Sequence, residues 1–305
     1  MARRWMPRQG GRCRPCCAVL ENGVPRWGRY SAAPAAVSTL LQGSRALTMV
    51  SAALLVLALP TWGLGFVDDR TVHGLAWTAN VWAKPLKFQL SMAVQLLTIA
   101  WALAWMARHG HAVPARKAMV TALVATVLFE TVYITVQGAR GVASHFNRTT
   151  PLEDLGASLM ASGAYVLVGS SAWLGAVALW HWVRQAPNER EAMLLAIGLG
   201  FVLMFFLAGF TGAAMGQHRG PFVQAISEPG SQLLLTGWRM DIGDLRVAHF
   251  FGVHAMQAVP LTAWVAVKAR WRLVPYVVAL VAGAWTAVTI LLMELALANR
   301  SLGHL

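Results

Sequence analysis

Glu130 stands in the middle of an otherwise apolar run. An ionisable side chain at mid-membrane costs roughly 2.5–3.5 kcal/mol on insertion scales, so it is seldom there without a use. Tyr133 and Gln137 follow at helical spacing, and the three side chains share one face that must point into protein rather than lipid. Such a carboxyl either titrates for function or stays protonated as a hydrogen-bonded structural group, and the spacing leaves both uses open. Glu294 lies nearer the end of its own run, where the structural use is favoured.

A second stripe comprises Lys84, Lys87, Ser91 and Gln95. Pro85 lies between the lysines and suits the first turn of a helix. A helix N-terminus already favours anions, and two amines beside it predict an acidic ligand or a lipid headgroup. The alternative is that both lysines merely snorkel to the interface.

The third constellation lies between Gly237 and Gln257. At 100° per residue, Arg246, Phe250, His254 and Gln257 fall within an arc of ~80°, whereas His249 lies ~140° from His254. Two histidines sharing a metal on one regular helix need i,i+4 spacing, so these two should not chelate the same ion. A metal would draw on His145, His218, His249 and His254, with Glu130 as a further donor. Each histidine can equally be a hydrogen-bonded packing residue. The three stripes together predict a pocket lined by Lys84, Lys87, Glu130, Tyr133, Gln137, Arg246, His254 and Gln257. Haem, a divalent metal or a quinone-like molecule is the expected occupant. No GxSxG element is present, and no Ser-His-Asp triad can be assigned.

The elements that must carry these residues are membrane spans. The chain is 57 % hydrophobic and only 12 % charged, with a mean hydropathy of +0.54. Globular domains carry roughly a quarter charged residues. Runs of about 20 apolar residues mark transmembrane helices, and they occur at 45–66, 88–106, 118–137, 155–183, 191–215, 247–267 and 273–298. None alternates with period two as a barrel strand would. The expected fold is all-α: a polytopic bundle of about seven spans.

The net charge of +13 does not indicate nucleic acid, because the basic residues sit at the ends of the runs. Eight arginines lie before the first run or, as Arg45, at its first position, and another eight Lys or Arg lie in the gaps on the same side. Sixteen of the 25 basic residues thus share one side, against nine on the other. The positive-inside rule then predicts a cytoplasmic N-terminus and an extracytoplasmic C-terminus, in the inner membrane of a bacterium. Residues 1–44 are expected to be a basic, disordered tail preceding a single membrane domain, 45–305. The tail holds Cys13, Cys16 and Cys17, which is half a zinc site at most, and no cleavable signal peptide is evident. The predicted inner loops are short. The outer ones are long, above all 216–246, which has room for a short helix or a hairpin. Long ordered loops usually serve function, so the outer face is the expected working face.

Three stretches, Trp82-Ala-Lys-Pro-Leu-Lys-Phe88, Ser144-His-Phe-Asn147 and Gly243 to Gln257, resemble a group of bacterial multi-pass membrane proteins. That group brings no established activity, so the resemblance implies a membrane fold and assigns no role to any residue. A small-solute or proton-coupled transporter is the first alternative to a binding protein. A zinc-dependent lipid hydrolase of the seven-helix ceramidase and adiponectin-receptor type is the second. Its HxxxH signature is absent, since His249 and His254 are one residue too far apart. Gly209, Gly212, Ala213 and Gly216 give small-xxx-small spacing suited to close helix contact, within the chain or at a dimer seam.

Overall fold

A chain in lipid must satisfy its backbone polar groups internally, and helices do this within a single segment. In the computed structural model, which describes residues 36–72, 79–145, 147–186, 191–224, 230–233 and 236–301, the ordered elements are helices throughout. They are α1 Ala36–Gly43, α2 Arg45–Val67, α3 Ala83–Arg108, α4 Arg116–Ala139, α5 Pro151–Arg184, α6 Ala192–Gln217, α7 Leu245–Lys268 and α8 Val274–Leu297. Seven of them, α2 to α8, are long and apolar enough to cross a membrane. The all-α bundle of seven spans read from hydropathy is therefore the observed architecture. Cys13, Cys16 and Cys17 lie outside the described residues.

Helix bounds differ from the apolar runs where polar residues cap or extend a helix. The run expected from residue 88 begins at Ala83, which places both Lys84 and Lys87 in the first turns of α3. α5 starts at Pro151 behind Thr150, whose hydroxyl accepts from the Glu153 amide. With 34 residues it spans about 51 Å, well beyond a hydrocarbon core of ~30 Å. The largest departure is α1, in the segment expected to be disordered tail. It packs along α3, and Gly43 approaches the Ala100 carbonyl so closely that a Cβ would not fit. Eight residues are too few to register as a span, so hydropathy passes over them.

From α2 to α8, each helix packs against the next. The closest neighbours are α6 with α7, α5 with α6, α7 with α8 and α2 with α3. At the α6–α7 seam, Gly200 lies under the Ala255 carbonyl and Pro260, and Gly252 lies against the Leu207–Ala208 backbone. Gly209 and Gly216 have no heavy atom within 4 Å of a built Cβ, whereas Gly212 faces the His249 ring. Close packing thus uses a different set of glycines from the stripe noted in the sequence.

The main apolar core is displaced toward the face where α2 begins. It joins Leu96 to Met106 of α3, Met119 to Val127 of α4, Leu167 to Ala178 of α5, Ala192 to Leu207 of α6, and Ala255 to Ala266 of α7. Most of each segment lies in the half of its helix nearest that face, and a smaller apolar cluster of Ala214, Leu245, Ala248, Met293 and Ala296 sits in the other half. The other half of the bundle keeps the polar stripes.

The α2-start face has its own polar cluster, which hydropathy does not reveal. His111 Nε2 lies 2.8 Å from Glu191 Oε2, the His109 ring stacks on Trp105 at 3.9 Å, and the His181 ring is 4.9 Å from that of His111. Burial alone would raise the Glu191 carboxyl. The His111 hydrogen bond, the nearby His109 and His111 charges and the Gln185 amide outweigh it and hold the group below its ordinary 4.5. A lowered folded-state value stabilises above 4.5, and the contribution disappears as pH falls through the lowered value. The melting temperatures of wild type and Glu191→Gln should therefore differ at neutral pH and converge in acid. A gap that is constant with pH would exclude this assignment.

Candidate functional site

α4 presents Glu130, Tyr133 and Gln137 to α5, where two glycines make room. A Cβ on Gly163 would strike the Glu130 carboxylate, and one on Gly156 would strike the Tyr133 ring. Glu130 and Gln137 are each 2 % exposed, and Tyr133 is half-buried. From Tyr133 a polar ladder runs outward. Gln137 Nε2 donates to Tyr133 Oη at 3.1 Å, Arg140 Nη1 donates to Gln137 Oε1 at 2.7 Å, and Arg140 Nη2 donates to Glu153 Oε1 at 3.1 Å. Glu130 stands outside this ladder. Its Oε1 is buried and accepts no hydrogen bond from the described residues.

α3 starts where Asp68 ties the end of α2 to it. Asp68 accepts from Trp82 Nε1 at 2.7 Å and forms an ion pair with Arg70, and these bonds hold its carboxyl far below the ordinary range. Pro85 fits against Gly138, locking the start of α3 to the end of α4. The stripe Lys84, Lys87, Ser91 is left exposed. Lys87 Nζ donates to the Thr236 carbonyl at 2.7 Å. Lys84 makes no hydrogen bond or ion pair among the described residues, yet it is in electrostatic range of Arg246, Lys87, Glu130, His145 and His249.

The connection between α6 and α7 turns back on itself. Gln232 pairs with Arg239, the Leu233 amide donates to the Trp238 carbonyl at 2.9 Å, and Gly237 takes the left-handed φ of +66° that the turn requires. This agrees with the hairpin option for that loop. Asp244 is its hub and 4 % exposed. It caps α7 by accepting from the Arg246 amide at 3.0 Å, accepts from the Arg239 amide at 3.0 Å, and takes the Arg246 guanidinium through Nε at 2.9 Å. Arg246 also reaches the Gly237 carbonyl at 2.9 Å.

The histidines take separate places. His249 Nδ1 lies 3.0 Å from Thr211 Oγ1 of α6. His254 Nδ1 faces Gln257 Oε1 at 3.3 Å, and its ring lies 4.2 Å from that of Phe250. His145, in the loop after α4, has Nδ1 3.0 Å from Ser144 Oγ. Burial, with Lys84 and His249 as neighbouring positive centres, pushes the His145 imidazole well below its ordinary value, so it stays neutral at physiological pH. His218 caps the C-terminus of α6 and is exposed. Among the described residues, no three His, Cys, Asp or Glu side chains gather to hold a metal ion.

Lys84, Lys87, Glu130, Arg246, His145 and His249 thus converge at one end of the bundle. Tyr133 and Gln137 line the adjoining α4–α5 seam. His254 and Gln257 lie deeper on α7, and Gln257 Nε2 reaches across to Thr98 Oγ1 of α3 at 3.1 Å. No protein-family model, curated protein or solved structure matches the chain.

Three participants were not picked out by residue type. Thr211 and Thr98 are ordinary helix residues until a partner helix brings His249 or Gln257 to them. Asp244 had a local signal, as an N-cap residue directly before an apolar helix.

Proposed function

We propose that this chain is a multi-pass protein of the bacterial inner membrane that binds an acidic small molecule in a pocket open to the extracytoplasmic side. The observation that carries this reading is Lys84, an ammonium with no carboxylate within ion-pair distance, beside two further cations. Arg246 is answered by Asp244, whereas Lys84 and Lys87 have no ion pair among the described residues. Three cations face two carboxylates, Asp244 and Glu130, so the cluster keeps an excess positive charge in a place shielded from bulk water. Charge-assisted bonds to an anion are strongest in such surroundings.

Two further features support a binding site. The segments around Lys84, His145 and Asp244 to Gln257 come from three separate parts of the chain and meet here. The apolar core in the opposite half favours a pocket with one mouth over a transport path. The extracytoplasmic assignment rests on the Lys and Arg asymmetry of the loops.

Decyl phosphate is a suitable probe, titrated by calorimetry in a neutral detergent at low salt. Lys84→Met should weaken binding at least tenfold, about 1.4 kcal/mol, and Lys84→Met with Lys87→Met should abolish it. Equal affinity in the double variant would rule this site out. A Soret band or a quinone-like spectrum from the purified protein would instead assign the pocket to haem or quinone.

A further inference from the structure

We propose that the natural occupant is an anionic lipid that enters sideways, with one acyl chain lying in a groove between α3 and α7. This rests on the anion-binding reading above and names the ligand class. Two stripes face one another. On α3, Lys84, Lys87, Ser91, Val94 and Thr98 recur at helical spacing, and on α7 so do Arg246, Phe250, His254 and Gln257.

The stripes are joined at both ends. At the mouth Lys87 holds the Thr236 carbonyl, and Trp238 packs edge-on against Phe250 at 5.3 Å. At the floor Gln257 bonds to Thr98. Between these bridges Leu90, Val94 and Phe250 are each more than 40 % exposed. The groove therefore runs from cations at the mouth to apolar walls below, which matches a lipid's charged head and hydrocarbon chain.

Depth favours a lipid over a free anion. From Arg246 to Gln257 the α7 wall descends about 16 Å at 1.5 Å per residue. One leaflet contributes about 15 Å, half of a hydrocarbon core of ~30 Å. A free phosphate would use the mouth and leave the apolar walls without a role.

The test uses the full chain in vesicles of phosphatidylcholine doped with phosphatidylglycerol, extracted in a neutral detergent and weighed by native mass spectrometry. One retained phosphatidylglycerol per chain is expected, in preference to phosphatidylcholine, and Ser91→Trp should fill the groove and reduce retention at least tenfold. Val94→Trp on the same wall serves if Ser91→Trp fails to fold. Inorganic phosphate should not displace the lipid, and displacement by phosphate would overturn the proposal. If decyl phosphate binding depends on Lys84 but neither tryptophan alters it or lipid retention, the groove is wrong and the anion site stands. If the lysine variants also bind normally, both readings fall.

Discussion

Asp244→Ala is expected to lower the unfolding free energy by about 3 kcal/mol, the range found when one partner of a buried charge pair is removed. The carboxylate accepts two backbone amides and the Arg246 guanidinium while nearly fully buried. Its loss uncaps α7 and leaves a half-buried guanidinium without a counter-charge. Asp244→Asn should fall between wild type and alanine, since an amide oxygen still caps the helix but carries no charge. Thermal unfolding in detergent, followed by circular dichroism, ranks the three. The alanine variant should also lose decyl phosphate affinity, because the turn that holds Thr236 against Lys87 is anchored through Asp244. A wild-type melting curve for Asp244→Ala would mean that the turn is held by something else.

Gly252→Val is the second large effect. A Cβ at this position would meet the Ala208 amide nitrogen and the Leu207 carbonyl carbon at 3.0 Å, both backbone atoms that no rotamer change can move. Overpacking costs about 1–3 kcal/mol, and here it must be relieved by shifting α7 from α6. That shift would also open the contact between His249 and Thr211 one turn away. Gly209→Val on α6, where a Cβ meets no heavy atom within 4 Å, is the matched control and should melt as wild type. Equal melting temperatures for the two variants would remove the α6–α7 seam as the source of the effect.

The two predictions differ in how far they could be read from the chain. Asp244 before an apolar helix is a recognisable cap, and its bond to Arg246 spans only two residues. Its further role as the anchor of the 232–239 turn depends on where the chain folds back. Gly252 is one of 27 glycines. The small-residue stripe visible on α6 drew attention to Gly209 and Gly216, which face no described atom, while the close approach falls at Gly200 and Gly252. Spacing shows that a face is small, and only the partner helix shows whether the smallness is used.

Seven spans were legible because lipid imposes a uniform demand for about 20 apolar residues on every crossing. The same demand exposed Glu130, Lys84 and Lys87, since each breaks a pattern that lipid enforces locally. Helical spacing also placed Glu130, Tyr133 and Gln137 on one face and set His249 apart from His254. Those are properties of a single helix. Tertiary structure decided the rest: that Lys84 sits near Glu130 without an ion pair, that His249 meets Thr211 while His254 turns to Gln257, and that Gln257 of α7 reaches Thr98 of α3. These contacts join residues up to 159 positions apart, and no local rule selects among the possible partners. The stripes first recognised by their chemistry come together at one end of the bundle because the main apolar core is weighted toward the other end, leaving room there for side chains that need polar company.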